Sequence, residues 1–181
     1  QAAAAEAGVN WNDADPADDT VCTASFAAVE LQHYLRRLTG AADSWAIVKP
    51  DDLKPSRGQA AILISALDEL PPAYKKALAP SSAAASKLGP EGYLLRTVSV
   101  SGVPVLVVAA PARVGLLYGV YGLLDRLGVR WYAPEKLHEV LPAVPLTTLP
   151  AFDAAESPRF LTRGFHAWEN RGNVDFLLWM A

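Results

Sequence analysis

The sequence predicts an α+β (α/β) fold in which helices pack on a mixed β-sheet. Three observations lead there. Segments with helical and strand-like patterning alternate along the 181 residues. Two strand-like runs within "YLLRTVSVSGVPVLVVAAP" (93–111) meet at Ser101-Gly102, which makes them an antiparallel hairpin. Between polar flanks, "AAILISAL" (60–67) is a continuous apolar run, the mark of a strand covered on both faces. Alternation with one antiparallel pair describes a layered domain around a mixed sheet.

The elements follow in order. "TASFAAVELQHYLRRLTG" (23–40) reads as the first helix, because Phe26, Val29, Leu31, Tyr34, Leu35 and Leu38 recur at helical spacing. Thr23 or Ser25 can cap its start, Gly40 stands where a C-terminal cap belongs, and Arg36 and Arg37 suit the helix dipole. "WAIVK" (45–49) reads as a short strand, and "DDLKPSRGQ" as a turn-rich loop. After the buried strand at 60–67, residues 70–92 open as a helix at Pro71 or Pro72 and dissolve into Ala/Ser-rich sequence. The hairpin follows, then a helix over 112–127, and "VRWYAP" returns as a strand. From 135 to 158 the chain is proline-rich and short-stranded, which fits an exit linker or an edge hairpin.

The helix at 112–127 carries an apparent contradiction. "GLLYGVYG" holds three glycines in eight residues, each costing roughly 1 kcal/mol against alanine in a helix. At helical spacing, Ala112, Gly115, Gly119 and Gly122 form one stripe nearly free of side chains, between stripes rich in Leu, Val and Tyr. A bare stripe on an otherwise apolar helix predicts close approach to a neighbouring element, whose contacts offset the lost propensity.

Composition narrows the function classes. With 51% hydrophobic and 19% charged residues the chain is a globular protein with a substantial core. Its net charge of -3 offers no basic surplus for a phosphate backbone, so a nucleic-acid partner is not expected. The near-apolar stretch 103–124 is interrupted by Pro104, Pro111 and Arg113, and the eleven residues left between Arg113 and Asp125 fall short of the roughly 20 of a membrane helix. Cys22 is a single thiol with no disulfide partner in the chain and no His/Cys cluster around it, so neither a metal nor another cofactor is expected. "QAAAAEAG" lacks the charged and apolar regions of a signal peptide.

Isolated chemical groups read as structural. His33 lies among charged residues of the first helix, and His138 beside Glu139 in the proline-rich segment. Ser65 lacks the glycines of a nucleophile elbow. The exception is "RGFHAWEN" (163–170). As a strand it would present Arg163, Phe165, Ala167 and Glu169 on one side and His166, Trp168 and Asn170 on the other. An indole flanked by hydrogen-bonding groups suits a sugar, whose apolar ring face and hydroxyls need both; a surface strand with a packed tryptophan has the same pattern.

Three stretches together, "AAVELQHYLRRLTG", "GPEGYLLRT" and "GLLYGVYGLLDRLGVRWYAP", resemble the N-terminal domain of bacterial and fungal α-glucuronidases of glycoside hydrolase family 67 and related glycosidases. More distantly, the chain resembles the domain that precedes the barrel of β-N-acetylhexosaminidases. The resemblance covers residues 20–170. It implies a mixed-sheet accessory domain at 20–134 after a loosely ordered segment 1–19, a connection at 135–158, and at 159–181 the start of a (β/α)8 barrel, truncated here, that carries the catalytic carboxylates beyond this chain. In α-glucuronidases the first barrel strand reads Arg-x-x-Asn-His-Trp-Asp-Asn. Arg163, Trp168, Glu169 and Asn170 match it in position, with Glu for Asp at 169, while His166 and Ala167 replace the Asn-His pair. The resemblance thus implies a substrate-binding set of Arg163, His166, Trp168, Glu169 and Asn170, with no catalytic residue and no turnover by this chain alone. It also implies a glycan of the xylan type as substrate, the chain's own barrel as partner, and a secreted or periplasmic parent enzyme. The alternative is an independent carbohydrate-binding or protein-interaction module.

Overall fold

The computed structural model describes residues 16–133, 138–160 and 176, with side chains described from Ala24 onward. Helix α1 (Pro16–Thr39) is followed by strand β1 (Ile62–Ala66), helices α2 (Pro72–Leu78) and α3 (Ser82–Ala85), strands β2 (Tyr93–Val100) and β3 (Val103–Ala110), and helix α4 (Arg113–Arg126). Strands β4 (Arg130–Trp131), β5 (Glu139–Val140) and β6 (Asp153–Glu156) complete the order. The main sheet runs β1-β3-β2-β6 and is mixed: β1 lies parallel to β3, and the other pairs are antiparallel. This is the α+β architecture with a mixed sheet that the sequence predicts.

Strand β3 occupies the centre, and its residues from Val105 to Ala110 are buried to 1% exposure or less. Alternation sends Leu106 and Val108 to one face and Val105, Val107 and Ala109 to the other. The first face packs against Leu31, Leu35 and Leu38 of α1 and Val120, Leu123 and Leu124 of α4. The second receives Tyr74 and Leu78 of α2. A sheet covered on both sides explains why β1 and β3 read as unbroken apolar runs. The hairpin turns at Ser101 and Gly102, whose φ angles of 53° and 76° are both positive, as a type I′ turn requires.

Two segments differ from the sequence expectation. The first helix starts at Pro16 rather than 23, with a proline at the first helical position, where its missing N–H would have no intrahelical partner. The expected strand at 45–49 is absent, and Ile47 and Val48 are 50% and 49% exposed. Trp45 is the physical reason. Its φ of 64° turns the chain out of extended geometry. Side chains of α1 hold it there: Gln32 Nε2 donates to the Trp45 carbonyl at 2.6 Å, and Arg36 Nε to the Ser44 carbonyl at 2.8 Å. The Ala/Ser-rich stretch is helical only to Ala85, with a 3-10 turn at Ala79–Ser81 around Pro80.

The glycine stripe lies against the sheet. A Cβ added at Gly115 would collide with the Gly92 carbonyl oxygen and lie 2.8 Å from the Ala110 Cβ. At Gly119 it would lie 2.8 Å from Val108 Cγ1, and at Gly122 it would meet the Tyr93 hydroxyl. Ala112 precedes the helix as its N-cap residue. The bare face therefore seats α4 directly on β2 and β3. The opposite side is less covered than an all-round apolar helix suggests, and Val114 is 38% exposed.

Candidate functional site

The substrate-binding set expected from the sequence, Arg163, His166, Trp168, Glu169 and Asn170, lies outside the described residues. Inside them, Ser65 and His33 are engaged through their side chains and His138 through its backbone. The Ser65 hydroxyl is buried and donates to the Ala66 carbonyl at 3.0 Å. His33 accepts from Arg37 Nη1 at 3.3 Å and meets the edge of Tyr34. His138 accepts the Tyr132 N–H at 3.1 Å through its backbone carbonyl. Among the described residues no group of three or more His, Cys, Asp or Glu side chains converges as a metal site, and no helix is long and apolar enough to cross a membrane.

Where the chain leaves α4, the short β4–β5 pair is fastened to α1. Trp131 Nε1 donates to the Tyr34 hydroxyl at 2.8 Å; the Tyr34 hydroxyl donates in turn to Glu139, and Arg37 pairs with the same carboxylate. Trp131 stands edge-on between Tyr34 and Tyr121, with ring centroids 5.4 and 5.3 Å away, and Tyr121 donates to Glu30 at 3.0 Å. Burial and the Glu139 hydrogen bond push the Tyr34 phenol up to about 12 from its ordinary 10.0. Burial and the neighbouring Glu30 carboxylate raise Tyr121 as well. A phenol held neutral beside a carboxylate is a donor that fixes geometry.

A second cluster ties the edge strand down. Tyr93 donates to Glu156 at 2.6 Å, and Arg126 pairs with the same carboxylate while donating to the Gly122 carbonyl at 3.0 Å. The Tyr93 hydrogen bond, aided by Arg126, holds the Glu156 carboxyl below its ordinary range. Glu139 and Glu156 therefore each serve a tyrosine and an arginine.

A cleft of about 290 Å³ opens at the end of the α1/α4 layer. Its floor is Thr97 of β2 with Pro104 and Leu106 of β3, and its walls are Thr39 at the end of α1, Trp45 beyond it, Gln59, and the 146–150 segment. That segment is pinned by the Leu146 N–H donating to the Leu38 carbonyl at 2.7 Å. Trp45 Nε1 reaches Thr39 Oγ1 at 3.4 Å. Sequence reasoning missed Trp45 by assigning it to a strand. The signal available was a tryptophan placed just after a helix-ending glycine, outside any alternating pattern.

The model of the glycosyl hydrolase family 67 N-terminus matches residues 11–123, from the approach to α1 into α4. The chain belongs to that family. The matched region contains the glycine stripe, the hairpin and α1. No curated protein matches the chain.

Proposed function

We propose that this chain is the non-catalytic N-terminal accessory domain of an α-glucuronidase-like glycoside hydrolase acting on xylan-type polysaccharide. In the full-length enzyme its partner is the chain's own C-terminal (β/α)8 barrel, which supplies the catalytic carboxylates. Residues 159–181 would begin that barrel, and Arg163, His166, Trp168, Glu169 and Asn170 would contribute to its sugar site, with Trp168 stacking on the terminal sugar. The fold of 20–134 would then be that of the domain preceding the barrel in β-N-acetylhexosaminidases. The membership in the family 67 N-terminus carries this reading.

The committed state of the carboxylates supports it. A glycosidase needs two carboxyl groups facing one glycosidic bond, one of them free to exchange its proton. Glu139 and Glu156 instead have their oxygens taken by phenol and guanidinium partners. The decisive experiment compares the 181-residue chain with the same chain extended into a barrel, on aldouronic oligosaccharides and aryl glucuronides. The expected result is turnover only by the extended protein. Hydrolysis intrinsic to the 181-residue chain, copurifying with it through successive columns, would overturn the proposal.

A further inference from the structure

We propose that the cleft beside Trp45 is a binding site for a neutral sugar unit, separate from any site the barrel provides. Its volume of about 290 Å³ falls just under the roughly 300–1,000 Å³ of small-molecule sites, which suits a ligand as small as one pyranose. Trp45 and Pro104 supply apolar surface for the C–H face of the ring, and Thr97, Thr148 and the Gln59 amide N–H supply neutral groups for its hydroxyls; the Thr39 hydroxyl is already spent, donating to the Leu35 carbonyl at 2.7 Å and accepting from Trp45 Nε1. Thr97 Oγ1 accepts the Phe152 N–H at 3.0 Å, which fixes its orientation and leaves its own proton to donate.

Charge decides the class of sugar. Among the described residues the cleft is lined by apolar side chains, hydroxyls, one amide and glycine, with no Lys, Arg, His, Asp or Glu. A uronate carboxylate placed there would lose water without gaining a cation, whereas a neutral pentose or hexose has only hydroxyls to satisfy. Trp45 is also held in place before any ligand arrives. A bulky residue at φ 64° persists only where its surroundings over-determine it, and here Gln32 grips its carbonyl, Arg36 grips that of Ser44, and Thr39 meets its indole N–H. A preset aromatic platform reduces the ordering cost of binding.

The proposal rests on the glycan reading for its ligand class, but its test reads binding and not hydrolysis, so the two can fail separately. The 181-residue chain is titrated with xylotriose and, in parallel, with D-glucuronate, following the indole N–H resonances by NMR. The expected result is a saturable shift of the Trp45 resonance with xylotriose and none with glucuronate. Trp45→Ala should weaken binding about tenfold or more, the equivalent of losing one stacking contact. Because removing Trp45 can perturb α1, the exposed Thr148→Val and Gln59→Ala provide a second reading: each should weaken binding severalfold with unfolding midpoints unchanged. An unmoved Trp45 resonance at millimolar xylotriose, equal binding of glucuronate, or wild-type affinity in Thr148→Val and Gln59→Ala together would each overturn the assignment. Loss of hydrolysis by the extended enzyme with xylotriose binding intact would instead strike the accessory-domain reading alone.

Discussion

Replacing Gly115 by alanine is expected to destabilise the domain, although alanine is the better helix former. In an exposed helix the exchange would stabilise by about 1 kcal/mol. Here the new Cβ falls on the Gly92 carbonyl oxygen and 2.8 Å from the Ala110 Cβ. Neither atom belongs to a side chain that can swing away, so α4 must lift from the sheet and loosen Leu116, Val120 and Leu123, each at most 1% exposed. Overpacking of this kind costs roughly 1–3 kcal/mol, occasionally more, and at a backbone contact the upper part of that range applies. Net of propensity, the loss is about 2 kcal/mol, equivalent to a fall of roughly 4–8 °C in melting temperature for a domain of this size. Gly119→Ala should lose less, because its new neighbours are the Val108 Cγ1 at 2.8 Å and the Tyr93 Cβ at 3.2 Å. Gly122→Ala should be near neutral, since the far end of the Tyr93 ring can yield at the cost of its hydrogen bond to Glu156, about 1 kcal/mol, which the gain in helix propensity offsets. Urea unfolding followed by far-UV circular dichroism gives the three midpoints. If Gly115→Ala unfolds at the same or higher urea concentration than the parent, or if the order of the three is reversed, the close-packing account of the stripe is wrong.

Three further outcomes are expected. Tyr34→Phe should cost about 1–2 kcal/mol in urea unfolding, because Trp131 Nε1 loses its acceptor and Glu139 a donor in a largely buried setting. A folded-state phenol raised to about 12 from 10.0 stays protonated after the unfolded one ionises. Its contribution is therefore full below pH 10, declines above it and is lost past about 12, and urea midpoints in Tyr34→Phe should fall less steeply across that window. Glu156 has the opposite sign: its lowered carboxyl stabilises above the ordinary value of 4.5 and loses that contribution as pH falls through the folded value, so Glu156→Gln should flatten the acid limb of the stability profile. Ser101→Asn should raise the midpoint by a few tenths of a kcal/mol, since asparagine tolerates the φ of 53° better than serine does.

The features legible in the sequence are those whose cause is local. A two-residue turn between apolar runs specifies the β2–β3 hairpin, and the step of three and four residues between Gly115, Gly119 and Gly122 specifies a helix with one face open to a neighbour. The helix limits were legible to within a few residues where a breaker marks them, as Gly40 does after α1. At α1's start the mark exists but sits in an acidic stretch that reads equally as loop: Asp15-Pro16 is a helix-start pairing, and the helix begins at Pro16. The sugar site expected at 163–170 lies outside the described residues.

What the sequence by itself determined is the class of the domain, its hairpin, its helix-on-sheet seam and the family to which the chain belongs. Only the tertiary structure decided which side of the sheet each helix covers, that Asp153–Glu156 joins β2 as an edge strand, and that Trp45 leaves extended geometry and lines a cleft. It also brought Tyr34 to Trp131 and Glu139 from 97 and 105 residues away. The physical reason is the range of the forces involved. Propensity and periodicity act over a few residues, whereas edge pairing, a hydrogen-bonded carbonyl in α1's reach, and a shared carboxylate acquire their energy only after distant segments have met.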